Sequence, residues 1–346
     1  MSSLSTGGAA QIVAVDLGGT TARAALVGRD GVVTARLREP VRHGAAHEQV
    51  ADLMTRVAGD SGAVSAVVGL PGRVDRVRGR LHVARNLPAT DLGRLSAEHL
   101  GRATGLAVRL AGDAELAAAG EAYFGAGSRT GTTAYLTIST GIGAAVVSEG
   151  RMLAGRVSGL QIGFLHLLGA GRPMIELLGS GQRVREVARE LGTEVDYRTL
   201  TEIASGNSAG NDAEDGARAA REVAGRALAD IADAAAAAAI LMCHVGSPDV
   251  LVVGGGLARA AGTALLDEID RRVHDAGTSH VSWDVEVRPA RCGDDAGLLG
   301  AAVWHLAEPY ATTAATQDRP ETQDRPEAQD QHSMTRKEGD GDDTDR

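Results

Sequence analysis

The segment Asp16-Leu17-Gly18-Gly19-Thr20-Thr21 sets a carboxylate just ahead of a glycine pair and a threonine pair. Glycines let backbone N–H groups come close to a phosphate, and a neighbouring threonine hydroxyl adds a further donor. A carboxylate at the same turn can hold a magnesium ion through water. A second segment of the same kind, Ser139-Thr140-Gly141-Ile142-Gly143, lies further along the chain. Two such turns facing each other can hold the phosphate chain of a nucleotide. Either one alone reads equally well as an ordinary hairpin. Asp113 follows Gly112 and precedes the helical run AELAAAGEAYFGAG. Here a strand hands over to a helix N-terminus, where an aspartate is a favourable N-cap.

These residues need strands and helices to hold them. From Gln11 the chain reads as a buried strand, IVAVDL, then the Gly-Gly-Thr-Thr turn, then the strand ARAALVG and a further strand VVTARLRE. A helix is expected over His47 to Ala58. A buried strand from Ala63 to Gly69 then runs into the Leu70-Pro71-Gly72 turn. The strand Ala107 to Ala111 leads to Asp113. The second half repeats this order: strand Ala134 to Ile138, the Ser-Thr-Gly turn, strand Ala144 to Gly150, a long alanine-rich helix over Ala217 to His244, strand Asp249 to Val253 and the run Gly254-Gly255-Gly256. A last helix is expected near Gly297 to Leu306. The repetition implies two related lobes around one cleft.

The totals narrow the function class. With 346 residues and 43% hydrophobic content the chain can fill two cores. A formal charge of −10 opposes an electrostatic nucleic-acid surface, and no nucleic-acid partner is expected. Cys243 and Cys292 are too few and too far apart for a disulfide framework. The first ten residues lack the pattern of a secretory signal, and no uninterrupted apolar run reaches the roughly 20 residues that span a bilayer. A cytoplasmic protein without a membrane partner is expected. Residues 311–346, in which TQDRPE occurs twice, and residues 1–10 are expected to be disordered or flexible.

Taken together, Asp-x-Gly-Gly-Thr, Gly69-Leu70-Pro71-Gly72, Asn86-Leu87-Pro88, Gly112-Asp113, Ser139 to Gly143, Gly254 to Gly256 and the closing Gly293 to Ala302 occur in one order at fitting intervals. In this the chain resembles the ROK family (repressors, open reading frames and sugar kinases) from about Gln11 to Leu306. The resemblance implies an α/β fold, a two-lobed actin-like ATPase (ribonuclease H-like) with the active site in the interlobe cleft. The implied division is residues 11–114 with the return helix at about 297–308 for the first lobe, and residues 115–296 for the second. It implies ATP with Mg2+, Asp113 as catalytic base, and Asp16 holding the magnesium through water. Gly18, Gly19, Thr20, Thr21, Thr140, Gly141 and Gly143 would meet the phosphates, and Gly255 and Gly256 the adenosine. Gly72 and Asn86 would meet a sugar-like substrate, on a side of the cleft that also takes in Gly112, Gln161 and Phe164. A homodimer is a further expectation from the family. Only ten residues precede the first strand, so the DNA-binding helix-turn-helix of the family's repressors is not expected.

The chain departs from the family pattern on the substrate side. Gly112 replaces an asparagine. Leu160-Gln161-Ile162-Gly163-Phe164 replaces Gly-Glu-x-Gly-His, so Gln161 and Phe164 stand where the family has a carboxylate and an imidazole. His166 lies two residues beyond. The stretch before Glu176, LLGAGRPMI, has no cysteine, so structural zinc is not expected, and packing of Phe164, Met174 and Ile175 is expected to replace it. Losing polar groups from a glucose site disfavours glucose. The resulting expectation is a kinase acting on a primary hydroxyl of a C7-cyclitol of the valiolone type, in pseudo-sugar natural-product biosynthesis. An amino-sugar or hexose kinase is the alternative. A non-catalytic ligand sensor is the second alternative.

Overall fold

In the computed structural model, residues 11–85, 87–166, 173–206, 214–277 and 284–307 are described. The repeated TQDRPE tail and the first ten residues lie outside them. The first lobe begins with strands β1 (Gln11–Leu17), β2 (Thr21–Gly28) and β3 (Val33–Pro40), then helix α1 (Ala46–Ala58) and strand β4 (Ser65–Leu70). A small hairpin of β5 (Arg73–Asp75) and β6 (Arg80–Val83) follows, then the short helices α2 (Ala89–Leu92) and α3 (Ala97–Thr104) and strand β7 (Ala107–Gly112). Helix α4 (Asp113–Phe124) crosses to the second lobe, which opens with β8 (Thr132–Ile138), β9 (Ile142–Ser148) and β10 (Arg151–Met152). Helices α5 (Ile175–Gly179), α6 (Gly181–Leu191), α7 (Tyr197–Ala204) and α8 (Glu214–Gly246) come next. The described chain closes with β11 (Val250–Gly254), α9 (Gly256–Ala261), α10 (Thr263–Asp275), β12 (Glu286–Pro289) and α11 (Ala296–Ala307).

The two main sheets have the same plan, β3-β2-β1-β4-β7 and β10-β9-β8-β11-β12. In each, an antiparallel hairpin supplies the first strands and parallel crossovers add the last two. The central strands β1, β4, β8 and β11 are nearly continuous apolar runs because helices or the other lobe cover both faces. Strand β3 alternates half-buried and exposed residues and carries Arg36, Arg38 and Glu39, as suits an open edge. Both phosphate-type turns therefore sit at equivalent places in two equivalent sheets.

Helices α4 and α11 form the layer between the sheets. Their buried residues join one core with Ala14, Ala25 and Val27 of the first sheet and Tyr135, Ala145 and Val147 of the second. The two helices approach backbone to backbone at two glycines. A Cβ on Gly300 would lie 1.8 Å from the Leu116 carbonyl oxygen, and one on Gly120 would lie 2.1 Å from that of Ala296. Gly300→Ala must push the helices apart and is expected to cost about 1–3 kcal/mol. An unchanged midpoint and slope in urea denaturation would refute this reading of the crossing.

Helix α8 is long and apolar enough to cross a membrane over Gly216–Gly246, by length and hydropathy alone. Its apolar face instead meets the second lobe's core, where Ala224, Ala227, Ile231, Ala234, Ala238 and Met242 are fully buried. Cys243 and Cys292 are both free thiols.

Candidate active site

A cavity of about 660 Å³ opens between the lobes. Its walls include Asp16, Gly18, Gly19, Thr20, Thr21, Gly72, Gly112, Asp113, Thr140, Gly141, Gly143, Gln161, Phe164, Gly255 and Gly256. The site residues expected from the sequence thus come together, except Asn86, which lies outside the described residues.

Asp16 ends up in the cleft because β1 pairs with β2 on one side and β4 on the other, placing it opposite Arg23 and Gly69. The turn after it is closed by the Gly18 N–H donating to the Thr21 carbonyl at 2.9 Å. Asp16 is ringed by protein, and burial pushes its carboxyl up to about 6, against the pull of Arg23, whose guanidinium is 3.6 Å away. A carboxylate so poorly solvated favours a bound cation.

Asp113 is the first helical residue of α4, and Gly112 is the N-cap. The N-cap alternative for Asp113 therefore does not hold. Its carboxylate accepts from the Ala114 N–H at 2.7 Å. Burial is the largest influence on its acidity and pushes it up to about 7, with the negative charge of Asp16 adding to the rise. A carboxyl raised toward neutral pH lies in the range in which a general base works best.

The opposite turn is held from below. Ser139 N–H donates to the Gly141 carbonyl at 2.9 Å, Ser180 Oγ donates to the Thr140 carbonyl at 3.0 Å, and the Ile142 N–H donates to Glu176 Oε2 at 3.1 Å. Gly255 has φ of 98°, and a Cβ there would lie 2.3 Å from the Ile138 carbonyl oxygen. Only glycine lets the β11–α9 turn close on the β8–β9 turn.

On the other side of Asp113 the structure adds residues that the sequence reading missed. Glu115, almost completely buried, accepts from the Gly112 N–H at 3.1 Å and the Gly159 N–H at 2.8 Å, and it forms a close ion pair with Arg76. Its place three residues after the N-cap is a capping-box position, the one local signal that could have singled it out. Ser158 joins the same contact: its Oγ accepts from the Val74 N–H at 2.7 Å. A Cβ at Gly112 would lie 3.3 Å from both Glu115 Oε2 and Ser158 Oγ. Gly112 is therefore closely bordered by these two side chains.

Ile175 is fully buried in the second lobe's core, whereas Phe164 is not. It faces the cleft at 37% exposure, with the Arg85 guanidinium 5.3 Å over its ring. Its ring is thus turned toward the site, on the substrate side expected for it, rather than buried in the core. His166 bridges Met174 through the backbone and is not part of the cavity wall. Most of the cysteine-free stretch, residues 167–172, lies outside the described residues; among those described, no cluster of three or more His, Cys, Asp or Glu side chains could hold a metal ion.

Comparison with known proteins places this site in a family. The ROK family model matches residues 12–308. The chain is 30% identical to the glucokinase of Thermotoga maritima over 307 residues, covering 84% of this chain and 96% of that protein. It is 29% identical to the N-acetylmannosamine kinase of Shigella flexneri, with 84% and 97% covered. Among solved structures, a ROK family glucokinase from Streptomyces griseus in complex with glucose and AMPPNP superposes with a TM-score of 0.67 at 23% identity, covering 84% of this chain and 98% of that one. With its two matching sheets around one cleft, the fold is the two-lobed actin-like ATPase fold, and the chain belongs to the ROK family.

Proposed function

We propose that this protein is a carbohydrate kinase that transfers the γ-phosphate of ATP to a primary hydroxyl of a hexose or amino sugar, giving ADP and a sugar phosphate ester. The observation that carries this reading is Asp113: a carboxylate pushed up to about 7, set in one cavity with two Gly-Thr turns from equivalent sheets. The named relatives act on glucose and N-acetylmannosamine, and this supports a hexose or amino sugar over the C7-cyclitol. A cytoplasmic location fits the charge and the free thiols.

In this mechanism Asp113 accepts the proton of the acceptor hydroxyl as its oxygen attacks the γ-phosphorus and the bond to the β-phosphate oxygen breaks. Backbone N–H groups and hydroxyls of Gly18 to Thr21 and Thr140 to Gly143 bind the phosphate oxygens and stabilise the spreading charge. Asp16, a desolvated carboxylate, suits a magnesium ion, which when bound supplies charge neutralisation of the phosphates. Gly72, Gln161 and, by resemblance, Asn86 hold the sugar. Phe164 covers one face of it.

The test is a coupled ADP-release assay with glucose, mannose, glucosamine, N-acetylmannosamine, kanosamine and a C7-cyclitol. Saturable turnover is expected on at least one hexose or amino sugar, with kcat/KM at least about 10-fold above that for the cyclitol. Turnover confined to the cyclitol would reverse the acceptor assignment. ATP binding without turnover on any acceptor would mark a ligand sensor instead.

A further inference from the structure

Three arginines from the two lobes converge on one carboxylate beside the phosphate turns. Arg23 in β2 and Arg38 in β3 each reach Asp294 Oδ2 at 3.3 Å, and Arg259 in α9 reaches Asp294 Oδ1 at 3.1 Å. All four residues line the interlobe cavity, together with Gly18 to Thr21 on one side and Gly255 and Gly256 on the other. Arg23 shares its charge with Asp16, and the neighbouring Asp295 is paired with Arg36 at 2.8 Å. Asp294 is therefore outnumbered.

Stability does not account for this arrangement. The side chains of Arg38 and Arg259 are 62% and 63% exposed, and ion pairs at such exposure contribute little. Three guanidinium groups around one carboxylate also repel one another. A phosphate chain, with several negative charges and many acceptor oxygens, matches the excess, and the planar guanidinium fork is suited to phosphate oxygens.

We propose that Arg38 and Arg259, together with Arg23, grip the phosphate chain of the donor nucleotide from both lobes, and that Asp294 is a place-holder that the incoming chain displaces. The proposal rests on the reading of this cleft as the donor site. Neither exposed arginine takes part in the core, so their replacement leaves the fold intact.

Titration calorimetry on the full chain tests it, with MgATP, inorganic tripolyphosphate and adenosine as probes and wild type, Arg38→Gln, Arg259→Gln and Asp294→Asn as proteins. Each arginine variant is expected to weaken MgATP and tripolyphosphate by about 5–20-fold and to leave adenosine unchanged. Asp294→Asn, which removes the competing charge, is expected to tighten MgATP by about 3–10-fold at low salt, with the gain shrinking as salt is added. Unchanged MgATP affinity in both arginine variants overturns the grip and leaves the kinase reading standing. Equal weakening for adenosine overturns it too, since the loss is then not directed at phosphate. Weaker binding by Asp294→Asn overturns the place-holder role. If the wild-type protein binds no MgATP, this proposal and the donor-site reading fall together.

Discussion

Replacement of Asp113 by Asn is expected to lower kcat by about 10²–10⁴-fold while MgATP and sugar still bind. The amide keeps the shape of the side chain and its contact at the start of α4 but cannot take a proton. The pH dependence carries the same signature. Asp113 must be ionised to act, and its acidity is pushed up to about 7 chiefly by burial and then by the charge of Asp16. In the wild type, kcat/KM is therefore expected to fall as pH drops through about 7. Neutralisation of Asp16 by a bound cation would move that inflection lower. The stability effect has the opposite sign from the rate effect. The folded-state value lies above the ordinary 3.8, so ionisation disfavours the fold, and Asp113 contributes stability that is lost as pH rises from about 4 through about 7. Asp113→Asn is thus expected to unfold at or above the wild-type temperature at pH 8. A variant that kept wild-type kcat, or whose rate loss tracked a loss of folded protein, would remove Asp113 from the role of base.

Glu115→Ala is expected to have the largest effect on stability, lowering it by about 3–5 kcal/mol. The carboxylate is nearly inaccessible and serves three partners: Arg76 from the segment after β5, the Gly112 N–H and the Gly159 N–H. Its loss leaves Arg76, itself mostly buried, without its counter-charge, and it strands the buried Gly112 N–H and the part-buried Gly159 N–H. The same change releases the Gly159 end of the segment that carries Gln161 and Phe164 into the cleft. The KM for the sugar is therefore expected to rise more than the KM for ATP, because the donor side is anchored separately through Ser180 and Glu176. Denaturant titration and initial rates against each substrate measure both effects. A stability loss below about 1 kcal/mol, or equal changes in the two KM values, would show that Glu115 is not the clasp between Asp113 and the acceptor segment.

Much of the cleft was legible along the chain because its parts are local. Gly18 to Thr21 and Thr140 to Gly143 close their turns over three or four residues, with chemistry carried by glycine and threonine themselves, so residue type and spacing were enough to find them. Asp113 was legible for a similar reason: a buried strand ends and helical spacing begins on either side of it. Its helical position was misjudged by one residue, since Gly112 also has the extended backbone of an N-cap and only the Glu115 contact shows which residue starts the helix.

The remainder depended on chain segments far apart in sequence. Phe164 was expected on the substrate side and also in packing that replaces zinc, and the short 3₁₀ turn at Ile162–Phe164 sets it in the cleft against Arg85. Gly112 read as a lost side chain, but whether its space is empty depends on Ser158, which arrives from the other lobe. Arg23, Arg38, Arg259 and Asp294 carry no motif, and their charges meet only when the β2–β3 edge, α9 and the turn just before α11 close around the cleft. Sequence alone therefore determined the kind of fold and the places of the two Gly-Thr turns and Asp113, each set by short-range backbone chemistry. Only the tertiary structure decided which charges and rings surround them, because those distances are set by the packing of one lobe against the other.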